Sequence, residues 1–183
     1  LRQNRGGHAS PRVLPAPGGE RQVRPAVFPG SFDPVHNGHL EVAETAARLF
    51  DRVLVAPVNN PQKGEPFFAL ADRQEMIAHS LDHLSNVIVQ SFSSLVVDLV
   101  RSVRADVIVK GLRVASDAES ELQQAHMNKS VAAVETLFIP CSSEYTFVAS
   151  RYLREFARYG GADRIGTMVP GPVFTKLKEK FAP

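Results

Sequence analysis

Short runs of apolar, often β-branched residues alternate along the chain with longer stretches in which apolar positions recur every three or four residues. The runs fall at 26–28, 52–58, 86–91, 106–110 and 136–139, and Val, Ile, Leu and Phe dominate them. Strands this uniformly apolar are covered on both faces. Between them the spacing predicts helices over 39–50, 70–84, 95–103, 115–130 and 147–159. Their candidate core faces are Val42, Ala46 and Leu49, then Ala71, Met76, Ile77 and Leu81, then Leu95, Val96, Leu99, Val100 and Val103, and finally Val148, Tyr152 and Phe156. The helix over 115–130 is more polar. Asp33, Ser94 and Ser116 stand where helices start, and Gly160-Gly161 where the fifth stops.

Five strand–helix alternations predict one α/β domain, a five-stranded parallel sheet with right-handed crossovers and helices on both faces. In such sheets ligands bind beyond the carboxyl ends of the strands, where the strand order reverses. The chemistry then belongs to the segments that follow the strands.

Length and composition narrow this further. At 183 residues the chain suffices for one core, and 44% hydrophobic residues exclude intrinsic disorder. No uncharged apolar stretch approaches the roughly 18 residues of a membrane-spanning helix. A single cysteine, Cys141, excludes a disulfide framework and fits a reducing compartment, so the expected location is the cytoplasm. Residues 1–25 hold five arginines and one acid, whereas 26–183 hold 16 basic and 18 acidic residues. The body therefore lacks the surplus for a duplex-binding face, and no nucleic-acid partner is expected. Residues 1–24 read as a disordered extension and 25–183 as the domain. A mitochondrial presequence is the rival reading of the extension, but Pro11, Pro15 and Pro17 break any amphipathic helix in it.

The most informative segment follows the first strand: Pro29-Gly30-Ser31-Phe32-Asp33-Pro34-Val35-His36-Asn37-Gly38-His39-Leu40. It leaves a strand, turns, and enters a helix near His39. A helix N-terminus offers unpaired N–H groups to a phosphate, and Gly38 allows close backbone approach. His36 and His39 share one face at that helix start. This is the His-x-Gly-His signature of nucleotidyltransferases. Zinc is the competing use of two such histidines, but no neighbouring Cys, Asp or Glu cluster completes a ligand set, and no metal site is expected. Lys63 follows the second strand and, as a point charge, suits an anion. Lys110 and Arg113 follow the fourth, where burying a lysine calls for an anionic partner: a phosphate, or else Asp117 or Glu121. Ser143 to Arg151 precede or open the last predicted helix and form a second candidate phosphate cradle.

Residues 25–183 resemble phosphopantetheine adenylyltransferases. Pro-Gly-Ser-Phe-Asp-Pro…Gly-His (29–39), Asn-Pro-x-Lys (60–63), Val-Lys-Gly-Leu-Arg (109–113), His-Met-Asn-Lys (126–129) and Glu-Tyr-Thr-Phe (144–147) carry the resemblance, in order and at matching separations. It implies a Rossmann-like domain that transfers the adenylyl group of ATP to 4′-phosphopantetheine, releasing pyrophosphate and dephospho-coenzyme A. It implies His39, Lys63 and Arg113 as catalytic residues. Ser31, Phe32, His36, His39, Gly111, Leu112, Arg113, Glu121, Tyr145, Thr146, Phe147, Val148, Ala149, Ser150 and Arg151 would line the ATP site. Ser31, Lys63, Val96 and Lys110 would meet the acceptor. Magnesium would arrive with ATP, the assembly would be a hexamer, and coenzyme A would feed back. The chain departs from the pattern at His36, commonly Thr, at 117–121, where two aromatics are missing, and at 149–151, where serines usually stand. Two other readings follow from these departures: transfer to a different phosphorylated acceptor such as nicotinate mononucleotide or glycerol phosphate, and a nucleotide-binding paralogue with reduced activity.

Overall fold

The computed structural model describes residues 24–60, 64–113 and 115–181. Five strands, β1 (Pro25–Gly30), β2 (Arg52–Pro57), β3 (Val87–Val89), β4 (Val107–Leu112) and β5 (Glu135–Pro140), form one sheet in the order β3-β2-β1-β4-β5. Every pairing is parallel, with Val27 opposite both Leu54 and Ile108. The helices are α1 (Asn37–Leu49), α2 (Leu70–Ser80), α3 (Val96–Ser102), α4 (Ala115–Ala132), α5 (Ser150–Arg158) and α6 (Gly171–Lys180), with a 3₁₀ segment at Ala162–Met168. This is the Rossmann-like domain expected from the alternation. The order reverses between β1 and β4, which places the switch point there.

Successive strand residues face opposite sides, and the core divides accordingly. Ala26, Phe28, Val53, Val55 and Val109 pack with Val42, Ala43 and Ala46 of α1, Met76 and Ile77 of α2, Leu153 and Ala157 of α5, and Val173 and Leu177 of α6. Val27, Leu54, Ala56 and Ile108 pack on the other side with Val100 of α3 and Val134, beside Val96 and Leu99. Both sheet faces are thus covered. Among the described residues no helix is long and apolar enough to cross a membrane.

Several local expectations need correction. Strand β4 continues through Gly111 and Leu112, so those two lie in the strand and not beyond it. Helix α5 starts at Ser150, leaving residue 147 in the preceding turn. Its buried stripe is Leu153 and Ala157, one residue on from the expected stripe, while Tyr152 and Phe156 are half exposed. Asp33 does not cap α1, which His36 does, and Leu95 in place of Ser94 precedes α3. Helix α6 has no counterpart in the sequence reading. Pro172 near its start and Val173 and Leu177 one turn apart are the local reasons it forms. Residues 1–23 of the expected extension lie outside the described residues. Arg24, by contrast, is tied to the body, its N–H donating to Asp51 Oδ2 at 2.9 Å.

Candidate active site

The loop after β1 is built from within. The ring of Phe32 folds back over Gly30, where a Cβ would sit 2.9 Å from it, and Phe32 takes a positive φ of 46° to do so. That ring meets Phe28 edge-on at 5.2 Å and His39 edge-on at 5.0 Å, so the core itself props the second histidine. His36 and His39 stack, with centroids 3.7 Å apart and planes 24° from parallel. The N–H of His36 donates to Nδ1 of His39 at 3.2 Å, and the proton of a neutral His39 therefore sits on Nε2.

The two histidines are not equivalent. His39 is partly exposed, whereas His36 is 1% exposed and its Nδ1 has no hydrogen-bond partner. Burial, reinforced by the nearby Arg113 charge, pushes the His36 pKa down to about 3. His36 is thus a neutral wall of the site, not a second cation aimed at an anion. Gly38 is needed beside it, because a Cβ there would lie 3.2 Å from Tyr145 Cβ and 3.3 Å from the His36 ring.

The loops after β1, β4 and β5 are stitched together at the switch point. Arg113 Nη1 donates to the Val148 carbonyl at 2.8 Å, and Ser150 Oγ donates to the Pro34 carbonyl at 3.0 Å. The N–H of Ser142 reaches both carboxylate oxygens of Glu41, at 3.2 and 3.0 Å. His36, His39, Arg113 and residues 145–150 are therefore neighbours. Thr146 Oγ1 turns back to the Ser143 carbonyl, Phe147 is exposed, and Val148 and Ala149 are buried as α5 begins. Arg151 is exposed and occupied by its neighbour: its guanidinium lies 4.6 Å from the Tyr152 ring centroid, and Nη2 donates to that hydroxyl.

Lys110 lies at the same carboxyl edge but on the other face, in phase with Ile108 and so toward α3 and α4. Its Nζ donates to Gln124 Oε1 at 2.9 Å and sits 3.1 Å from Glu121 Oε2. The carboxylate alternative open at the sequence level is what the structure contains, and Glu121 joins Lys110 instead of the imidazoles. Val96 packs on this same side, against the Val27 and Ile108 cluster. Gly111 has a packing reason: a Cβ would lie 2.9 Å from Val42 Cγ2 of α1. Ser31 follows β1 directly, and Lys63 lies outside the described residues.

The sequence offered Asp33 only as a helix start and did not single out Arg73. Asp33, 8% exposed, accepts the N–H groups of Phe67 at 2.7 Å and Phe68 at 2.9 Å and lies 3.7 Å from Arg154. Arg73 of α2, 1% exposed, donates from Nε to the Phe68 carbonyl at 3.1 Å. Its Nη1 reaches the carbonyls of Ser31 at 2.7 Å and Val58 at 2.9 Å, and Nη2 reaches Asn59 Oδ1. Arg73 stands three residues before Met76 and four before Ile77, a cation on an apolar stripe, which was the available signal. Among the described residues no group of three or more His, Cys, Asp or Glu is placed to hold a metal ion.

Residues 27–156 match the cytidylyltransferase-like family model. The chain is 49% identical over 157 residues to a phosphopantetheine adenylyltransferase of Synechococcus sp. (strain JA-2-3B'a(2-13)), covering 85% of this chain and 97% of that one. It is 44% identical over 160 residues to the phosphopantetheine adenylyltransferase of Carboxydothermus hydrogenoformans, covering 87% and 97%. Its fold matches that of a Vibrio parahaemolyticus protein provisionally named nicotinate-nucleotide adenylyltransferase, with a TM-score of 0.59 at 20% identity, over 85% of this chain and 99% of that one.

Proposed function

The chain belongs to the phosphopantetheine adenylyltransferases within the cytidylyltransferase-like family, and we propose on that basis that it transfers the adenylyl group of ATP to 4′-phosphopantetheine in coenzyme A synthesis. The observation that carries this reading is identity of 44–49% along nearly the full length of such relatives, with His36, stacked on His39, lying beside the Arg113 charge at the switch point.

An oxygen of the acceptor phosphate attacks the α-phosphorus of ATP in line. The new P–O bond forms as the α–β bridging bond breaks, and pyrophosphate leaves with its electron pair. The attacking phosphate is already ionised near neutral pH, so no strong base is needed. What remains is to hold two anions together and to stabilise the charge that grows on the α-phosphate. In this reading Nε2–H of His39 donates to that phosphate, and Arg113 and the N–H groups where α5 begins receive the rest of the triphosphate. Lys110 and Val96, on the α3/α4 face, and Lys63, after β2, serve the acceptor. Magnesium arrives as part of the substrate MgATP, held by phosphates and water in place of a protein carboxylate cage. A cytoplasmic location, a homohexameric assembly and feedback by coenzyme A complete the proposal.

Pyrophosphate release is measured with MgATP and, in parallel, 4′-phosphopantetheine, nicotinate mononucleotide or glycerol phosphate. Turnover with the first alone is expected. Preference for another acceptor overturns the acceptor assignment, and no turnover with any of them overturns the enzyme.

A further inference from the structure

Arg73 buries a guanidinium against neutral oxygens: three carbonyls and the Asn59 amide. A buried cation is a weak device for stability, since an apolar residue of similar volume often does as well. Burial disfavours its charge, and Asp33 is the carboxylate that opposes that effect. The partners explain the choice better than stability does. Ser31 is the first residue beyond β1, and Val58 and Asn59 are the first beyond β2, so one planar group spans the roots of two loops at the carboxyl edge. Four of its five N–H donors are used, in a fork that a single ammonium centre cannot reproduce.

We propose that Arg73 is a positioning residue for the acceptor phosphate: it holds Ser31 and the start of the loop after β2 at one separation, so that both loops present their polar groups to the same anion. This rests on the adenylyltransferase reading for the identity of that anion. The fork, not the charge, carries the role, and none of its hydrogen bonds reaches α1, Arg113 or the start of α5, where the triphosphate is received.

The test compares Arg73→Lys and Asn59→Ala with the unaltered chain. Asn59 is exposed, so its variant folds even where the Arg73 variant does not. In Arg73→Lys the KM for 4′-phosphopantetheine should rise about tenfold or more while that for ATP stays within about threefold. Asn59→Ala should shift the same way, by about threefold. Amide exchange at residues 58–60 should quicken about tenfold in Arg73→Lys while β1 and β4 keep their protection. An unchanged acceptor KM in both variants overturns the proposal. So do equal shifts in both KM values with exchange raised throughout, the behaviour of an ordinary core residue. Should the unaltered chain fail to use 4′-phosphopantetheine, the acceptor reading falls separately, and the exchange measurement alone decides whether Arg73 holds the loops.

Discussion

The N–H of His36 and Nδ1 of His39 lie 3.2 Å apart, and this contact orients the imidazole proposed to meet the α-phosphate with the backbone of its own helix cap. An acceptor at Nδ1 leaves Nε2 as the donor. Stacking on His36 and the edge of Phe32 then restrict the ring to one plane. A glutamine can place an amide N–H near the Nε2 position, whereas asparagine reaches only as far as Nδ1. His39→Gln should therefore retain more turnover than His39→Asn, by about tenfold. The comparison is made on initial rates, and the reverse order would contradict the assigned tautomer.

His36 should make stability depend on pH. Its folded pKa is near 3, below the 6.5 of an unfolded histidine. As pH falls through 6.5 the unfolded chain gains a proton that the folded chain does not. The stabilisation present above 6.5 is thus lost progressively toward 3, by at most about 1.4 kcal/mol per pH unit. Denaturant midpoints at pH 7, 6 and 5 should fall more steeply for the parent chain than for His36→Gln. Parallel slopes would show that His36 does not titrate this way.

Asp33 should be a stability residue. Removing its carboxylate leaves the N–H groups of Phe67 and Phe68 without their partner. Asp33→Ala should cost about 3 kcal/mol and Asp33→Asn about half as much, since one amide oxygen still accepts. Chemical denaturation reads both. A cost within the error of the measurement would remove Asp33 from the account.

Gly111 and Val42 should show coupling. Gly111→Ala adds a methyl 2.9 Å from Val42 Cγ2 and should cost about 1–3 kcal/mol. In Val42→Ala that space opens, so the double variant should be less destabilised than the sum of the two single ones. Strict additivity would mean that the strand and helix relax freely there.

In the proposed reading Lys110 meets the acceptor, whereas Glu121 only pairs with Lys110. Lys110→Met removes the cation on the α3/α4 face and should raise the acceptor KM about tenfold, with the ATP KM nearly constant. Glu121→Gln should move both far less. A raised ATP KM with the acceptor KM unchanged would place Lys110 on the nucleotide instead.

Much of the fold was legible because each strand is a short apolar run bounded by helical spacing, as at 52–58 and 106–110. The candidate residues that the structure brings together were legible where they follow local sequence, as in the loop from Pro29 to Leu40 and at Arg113. Four things were not. Helix α6 presents only two buried apolar residues and begins after Pro170, so its pattern is thin. The stripe of α5 slipped by one residue because the turn through Phe147 was read as helix. Apart from the Phe68 carbonyl five residues before Arg73, the hydrogen bonds of the Arg73 and Asp33 side chains reach 14 to 42 residues away, and all but the one to the Asn59 amide go to backbone groups that no residue pattern encodes. The pairing of Lys110 with Glu121 likewise depends on α4 lying back over β4.

The most direct measurement is a single-turnover reaction of MgATP and 4′-phosphopantetheine on the parent chain and on His39→Ala, following dephospho-coenzyme A and pyrophosphate together. The parent should form the two products in equal amounts. The folded variant should form them about a hundredfold more slowly or worse, as when a donor to a developing charge is lost. A parent chain that makes no dephospho-coenzyme A, or a His39→Ala variant that makes it at the parent's rate, would contradict the account.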